Sequence, residues 1–300
     1  STWAVLGLCL FATHASSQNL QDAELELPGV WAGQAAWGDY DDDGDQDLIL
    51  VGEAVENDQC LKIARVLRND QGLLVEDVDQ TQRLVGVYFG DLGWADYDND
   101  SDLDLAIAGW DSENRGSLRL YTNSAGNEEG ERQLTFDISQ VNDKGDSNFR
   151  GVRYADLSWA DFDRDGDLDL VVTGMEDNGT SLTHLYHNSG GQLILDEANS
   201  EALINVHNGD VAWADYDNDG DLDLSLSGEN VIPDNRTFVT EFYKNDPVGS
   251  LEVDVSVAAE NLVRGGSLAW ADYDTDGNLD LAVSGRDAIW DVKLQLYRSN

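Results

Sequence analysis

The chain has 300 residues, with 17 Lys plus Arg against 60 Asp plus Glu and a formal net charge of −43. Apolar residues make up 41% of it and include 9 Trp, which supplies a core and argues against disorder. Nucleic acid and anionic membrane surfaces would be repelled, whereas cations, basic proteins and neutral ligands would not.

Residues 3–12 (WAVLGLCLFA) are an apolar run followed by small and polar residues (THASSQ). This resembles the core and cleavage region of a secretory signal peptide over residues 1–17; a buried strand is the alternative. A basic leader and an initiator Met are missing, as in a truncated reading of a longer gene. The run is too short to span a bilayer, which takes about 20 residues. Of the two cysteines, Cys9 would leave with the leader, so Cys60 would have no intrachain partner.

Residues 18–300 carry an internal repeat, the first thing to look for in a chain of this length. Five segments align: WGDYDDDGDQDLILVG from Trp37, WADYDNDSDLDLAIAG from Trp94, WADFDRDGDLDLVVTG from Trp159, WADYDNDGDLDLSLSG from Trp213 and WADYDTDGNLDLAVSG from Trp270. The tryptophans are 57, 65, 54 and 57 residues apart. A weaker motif follows each: VLRN at 66–69, LYTN at 120–123, LYHN at 185–188, FYKN at 242–245 and LYRS at 296–299. Within a unit the approach to Trp, the stretch after the acidic cluster, the LYxN piece and the stretch after it each alternate with period two, the signature of a strand. No helical stripe is evident. Four short strands per unit predict an all-β fold of four-stranded β-propeller blades.

Each acidic cluster fits D-x-D-x-D-G-x-x-D, with carboxylates at positions one, three, five and nine. These are Asp39, Asp41, Asp43 and Asp47 in the first unit, and Asp96, Asp98, Asp100 and Asp104 in the second. The third has Asp161, Asp163, Asp165 and Asp169, the fourth Asp215, Asp217, Asp219 and Asp223, the fifth Asp272, Asp274, Asp276 and Asp280. So many carboxylates on nine residues call for a cation, and Ca2+, with 6–8 oxygen ligands in flexible geometry, is the expected occupant of up to five sites. Gly at position six lets the chain turn so that the carbonyl of position seven points inward; that position is Asp45, Asp102, Asp167, Asp221 and Asn278. The absence of His and Cys from the loops argues against zinc or copper. An EF-hand is excluded because position twelve is Leu50, Ile107, Val172, Leu226 or Val283, never the required Glu.

These W-A-D-Y-D-x-D-G-D-L-D-L units resemble FG-GAP/VCBS repeats, the blades of integrin α-subunit-like propellers, over residues 28–300. The resemblance implies calcium loops between the first and second strands of each blade, with the ligand positions above. Ser101 departs from the Gly expected at position six and predicts the weakest of the five sites. Each Trp, and the aromatic after the first Asp (Tyr40, Tyr97, Phe162, Tyr216, Tyr273), is expected to pack between blades. Five blades closed by a strand over Glu24–Leu27 are the expected form; the resemblance also allows a seven-bladed ring of which this chain is part.

The expected function is a secreted, periplasmic or cell-surface recognition or adhesion module for an extracellular protein or a glycan. The alternatives are a polysaccharide lyase or hydrolase, or a structural spacer. No nucleic-acid partner and no membrane insertion are expected, and the sequence leaves the oligomeric state open. Catalytic motifs are absent; His184 and His187 flank Tyr186 on a strand, His14 lies in the leader and His207 in a turn. Ligand contacts are expected on the face opposite the acidic loops, from Trp31, Trp110, Arg115, Arg150, Arg153, Arg286 and Trp290. Lys144-Gly145-Asp146 resembles an integrin-recognised tripeptide, and Asn178 and Asn235 head glycosylation sequons.

Overall fold

The computed structural model describes residues 27–299 apart from 28, 127–131, 138–139, 141–148, 233–234, 258–262 and 288. The leader and the Lys144-Gly145-Asp146 tripeptide lie outside the described residues. So, apart from exposed Leu27, does the expected closing strand.

The described residues form five antiparallel sheets, each strand pairing with its neighbour in sequence. The first sheet is β1 (Trp31–Gly38), β2 (Asp47–Glu56), β3 (Gln59–Asp70) and β4 (Leu73–Glu76). The second is β5 (Val87–Ala95), β6 (Asp104–Asp111), β7 (Gly116–Ala125) and β8 (Arg132–Phe136). The third is β9 (Arg153–Ala160), β10 (Asp169–Met175), β11 (Ser181–Asn188) and β12 (Leu193–Leu195). The fourth is β13 (His207–Ala214), β14 (Asp223–Ile232), β15 (Asn235–Asn245) and β16 (Leu251–Val253). The fifth has three strands among the described residues, β17 (Leu268–Ala271), β18 (Asp280–Arg286) and β19 (Val292–Tyr297).

Two one-turn helices, α1 (Val78–Thr81) and α2 (Glu197–Ala202), follow β4 and β12, where no helix was expected. Neither has the length to show a hydrophobic stripe. Their cause is local: the Asp77 and Asp196 carboxylates accept from the amides of Gln80 and Asn199, which satisfies an otherwise orphaned donor of the first turn.

The core lies between the sheets. Ile49 and Val51 of β2 pack with Leu92 of β5 and Ile107 of β6, and the same faces meet again between the second and third, third and fourth, and fourth and fifth sheets. Each of these interfaces is keyed by one stacked aromatic pair. The ring that follows the first Asp of a loop lies on the Trp of the next sheet: Tyr40 on Trp94, Tyr97 on Trp159, Phe162 on Trp213 and Tyr216 on Trp270, with centroids 5.5–6.3 Å apart. Such pairs add about 0.5–1.5 kcal/mol each beyond the area they bury. Tyr273 and Trp37, the equivalent pair for closure of the fifth sheet on the first, are 54% and 58% exposed.

The first strands also clasp one another. Asp91 accepts from the amide of Leu157 (3.1 Å), Asp156 from Val211 (2.8 Å) and Asp210 from Leu268 (2.5 Å). Four of the first strands open with a bulge whose outer residue is left-handed: Ala32, Phe89, Tyr154 and Asn208, at φ 48°, 45°, 51° and 52°. Gly265, three residues before β17, has the same conformation at φ 55°. These five residues line one cavity of about 340 Å³, which places the five strand starts around a common axis. The next residue inward is tightly seated: a Cβ on Gly90 or Gly209 would lie 2.0 Å or 1.8 Å from a carbonyl oxygen of the second strand.

Candidate metal centres

Every acidic loop joins the first to the second strand of its sheet, at the end away from the bulges. Position nine is the anchor. Asp47, Asp104, Asp169, Asp223 and Asp280 are buried, and each accepts two backbone amides, one from position two and one from the end of the third strand. For Asp104 the donors are Tyr97 (3.3 Å) and Asn123 (2.7 Å). The end of the LYxN motif is thus where the loop is stapled to the sheet.

The upstream carboxylates fold over this anchor. Position five accepts the amide of position seven in all five loops (2.8–3.0 Å). Position six is left-handed throughout, with φ 93° at Gly44, 77° at Ser101, 99° at Gly166, 95° at Gly220 and 94° at Gly277. Its amide donates to Asp39, Asp96 and Asp272 at position one in the first, second and fifth loops.

Carboxylate oxygens converge as a result. Ligating atoms of Asp39, Asp41 and Asp43 lie within 4.8 Å of one another, as do those of Asp96, Asp98 and Asp104, of Asp161, Asp163 and Asp169, and of Asp215, Asp217 and Asp223. Burial pushes Asp104 up to about 8, Asp169 to about 7, and Asp47 and Asp223 to about 6, with neighbouring carboxylates adding to the shift. Buried oxygens on Asp221 and Asp274 are held by ion pairs alone. Among the described residues, those on Asp41, Asp96, Asp161 and Asp215, one in each of the first four loops, have neither a hydrogen-bond nor an ion-pair partner. Buried polar atoms are seldom left so. These four carboxylate sets are all oxygen and fit a hard divalent cation; in the third loop His187 also comes within 4.8 Å of ligating atoms of Asp163 and Asp165.

The side chains of position seven turn to other tasks, leaving only the carbonyl for a cation. Asp45 accepts from Gln71 (3.2 Å). The other four meet position four of the preceding loop. Asn99 donates to Asp167 (2.7 Å), Arg164 pairs with Asp221 (2.6 Å), and Asn218 donates to Asn278 (3.0 Å). Between the first two loops, Arg132 of β8 bridges Asp42 and Asp102.

The loops themselves contain no histidine, as expected, but His187 of the neighbouring strand reaches one of them. It extends from β11 to within 3.1 Å of Asp163 and 3.3 Å of Asp169. The third strand places a basic side chain at the same point in the next two blades: Lys244 meets Asp217 (2.7 Å) and Arg298 meets Asp274 (2.6 Å). His184 faces the other way, beside the Tyr186 hydroxyl, and burial lowers its pKa to about 4. His207 is buried with Nδ1 2.9 Å from the Ser181 hydroxyl, and desolvation lowers its pKa too.

At the opposite end, Trp31, Trp110, Arg153, Arg286 and Trp290 belong to one aromatic and cationic mouth. Arg115 and Arg150 do not join it: they are exposed and paired with Glu113 and Glu176. Tyr88, Phe89, Tyr154 and Arg264 do, and were missed because each stands where other blades carry a different residue.

Residues 96–172 and 161–225 match the FG-GAP-like repeat. No curated protein matches the chain in sequence. Among solved structures, a lectin of Agrocybe aegerita that recognises non-reducing terminal N-acetylglucosamine superposes with a TM-score of 0.51 at 14% identity. The match covers 86% of this chain and 62% of the lectin, so the chain spans under two thirds of that protein's length. An α-L-arabinofuranosidase of Clostridium thermocellum ATCC 27405 matches at a TM-score of 0.39 and 9% identity, over 89% of this chain and 94% of the enzyme; at that score the two folds are only loosely alike. The chain is a protein of β-propeller blades that carries FG-GAP-like repeats.

Proposed function

We propose that the chain is a calcium-stabilised recognition propeller, secreted, periplasmic or at a cell surface, whose ligand is a glycan or an extracellular protein. The observation that carries the calcium reading is the unpartnered buried carboxylate oxygen that recurs in four loops, each beside two further carboxylates. Calcium would supply the charge that lets these carboxylates lie together, held by positions one, three, five and nine and the carbonyl of position seven. The chain's own part is to preform the loop: position nine fixes both ends, and position six makes the turn. Extracellular modules bind this ion at about 10⁻⁴–10⁻³ M, which suits the expected location.

Recognition is supported by the other end of the molecule, where exposed tryptophans and arginines lie on a rigid frame. The lectin with the similar fold binds a sugar, which makes a glycan a natural first class to test. The test is capture from glycan and extracellular-protein arrays in millimolar calcium, repeated with chelator. Calcium-dependent capture without turnover supports the reading. Turnover of a polysaccharide replaces it with an enzyme, and capture of nothing leaves a spacer.

A further inference from the structure

The loop-free mouth holds a cavity of about 380 Å³ between the second, third, fourth and fifth sheets. Its walls include three guanidiniums, Arg153, Arg236 and Arg264, and one carboxylate, Glu229. Arg264 and Arg236 both pair with Glu229, at 2.5 and 3.1 Å. Among the described residues Arg153 has one, longer ion pair, with Asp177 at the rim (3.7 Å), and a contact with the Met175 sulfur (3.6 Å). Its Nε has no hydrogen-bond partner among the described residues, as is also the case for the Trp110 indole N–H and those of Trp94, Trp159 and Trp213. In a chain of net charge −43 this concentration of cations is out of character.

The aromatic rings are equally local. Trp31, Tyr88, Phe89, Trp110 and Tyr154 form an unbroken chain of ring contacts with centroids 4.7–6.5 Å apart. Arg153 lies over Trp110 (4.8 Å) and Arg264 over Trp290 (3.7 Å). Phe89 and Tyr154 occupy the left-handed position that the fourth and fifth sheets fill with Asn208 and Gly265. A bulky residue is an outlier there, whereas Asn and Gly are at ease. Strain of this kind persists where a side chain is needed at that spot.

We infer that this mouth binds an acidic saccharide, its sugar ring on the Phe89 and Tyr154 platform and its carboxylate on Arg153. Guanidinium groups recognise carboxylates in paired hydrogen bonds, and Arg153, whose ion pair with Asp177 is long, can exchange it for a ligand carboxylate. The repulsion from the rest of the protein is screened beyond about 8 Å at physiological salt, so the nearby cations dominate once the ligand is seated. Glu229 holds Arg236 and Arg264 in place and is a positioning residue. The inference rests on the recognition reading above and names its ligand class.

The test is calorimetric titration, in calcium, with a short xylo-oligosaccharide bearing a single glucuronate, and with the same oligosaccharide after reduction of its carboxyl to the alcohol. One carboxylate per ligand avoids calcium bridging between polyuronates. The acid form should bind at least tenfold more tightly than the reduced form. Arg153→Gln should remove that preference, and Tyr154→Asn should weaken both forms while leaving the melting temperature unchanged or raised. Equal binding of the two forms, or binding of the acid form that neither variant alters, overturns the inference. Failure to bind either form, with capture of another glycan or protein on the arrays, overturns it too and leaves the recognition reading standing. Capture of nothing overturns both.

Discussion

Ser101→Gly isolates one backbone angle in one loop. Ser101 sits at φ 77°, where the four equivalent positions are Gly at 93–99°. A non-glycine residue in that region costs about 1–2 kcal/mol, and the greater freedom of Gly in the unfolded chain takes back about 0.4–1 kcal/mol. No packing contribution needs adding, because a Cβ at Gly44, Gly166 or Gly277 would meet nothing within 4 Å. The Ser101 amide, which donates to Asp96 at 3.1 Å, is kept. The middles of these ranges leave a net gain of about 0.8 kcal/mol, or roughly 2–3 °C in melting temperature for a domain of this size. If the loop closes only as calcium binds, the same energy appears instead as a roughly two- to fivefold higher affinity at the second site. Calorimetric melting with and without chelator, plus calcium titration, reads both. Gly166→Ser should give the mirror image in the third loop. A Ser101→Gly protein that is less stable and binds calcium no better would refute the reasoning about position six.

Removing calcium with excess chelator should lower the melting temperature by many degrees, since a site at 100 times its Kd contributes about 2.7 kcal/mol; an unchanged midpoint would remove calcium from the account. Asp104→Ala should destabilise the fold by about 2–6 kcal/mol even in chelator, because two backbone amides lose their acceptor. Asp100→Ala should keep the fold and lose only calcium affinity at that loop; denaturant melts of the two variants should separate these roles, and equal losses in chelator would contradict it. Desolvation raises Asp91 to about 6, Asp156 well above the usual carboxylate range and Asp210 in the same direction, with repulsion from neighbouring carboxylates adding for Asp91 and Asp156. The native state then holds more protons than the unfolded chain from about pH 4 to beyond 6. Calcium-free stability should therefore fall as pH rises through that window. Asp156→Asn keeps an acceptor for the Val211 amide while removing a like charge, so it should flatten the slope and raise stability at pH 7. A melt series that leaves the slope intact would show that the axial carboxylates do not interact as described.

What the sequence disclosed was what the blades share. Trp94 and Tyr40, Asp104 and Ser101 could be placed because five copies vary around one pattern, and a position that never changes has one structural duty. The features it hid are those in which blades differ. Phe89 and Tyr154 share a position with Ala32, Asn208 and Gly265, so no period marks them, and their shared left-handed geometry exists only in three dimensions. His187, Lys244 and Arg298 were visible in the LYxN motif, but the strand's alternation does not say that their side chains reach a loop in the same blade. The one-turn helices depend on single capping residues, Asp77 and Asp196, too short a signal to stand out in an acidic chain.

The contacts from position four of one loop to position seven of the next also write the order of the blades into the molecule. Backbones this alike could be shuffled or duplicated with little loss of hydrogen bonding within each sheet. The junctions are not alike: Arg164 faces Asp221, Asn99 faces Asp167, and Asn218 faces Asn278. Asp42 faces another carboxylate, tolerated because Arg132 of the second blade stands between them. Were the first blade set directly before the fourth, Asp42 would confront Asp221 with no arginine from β8 to part them. A permuted gene would thus encode the same five sheets and meet like charges at its seams, so neighbouring blades of this propeller have to change together.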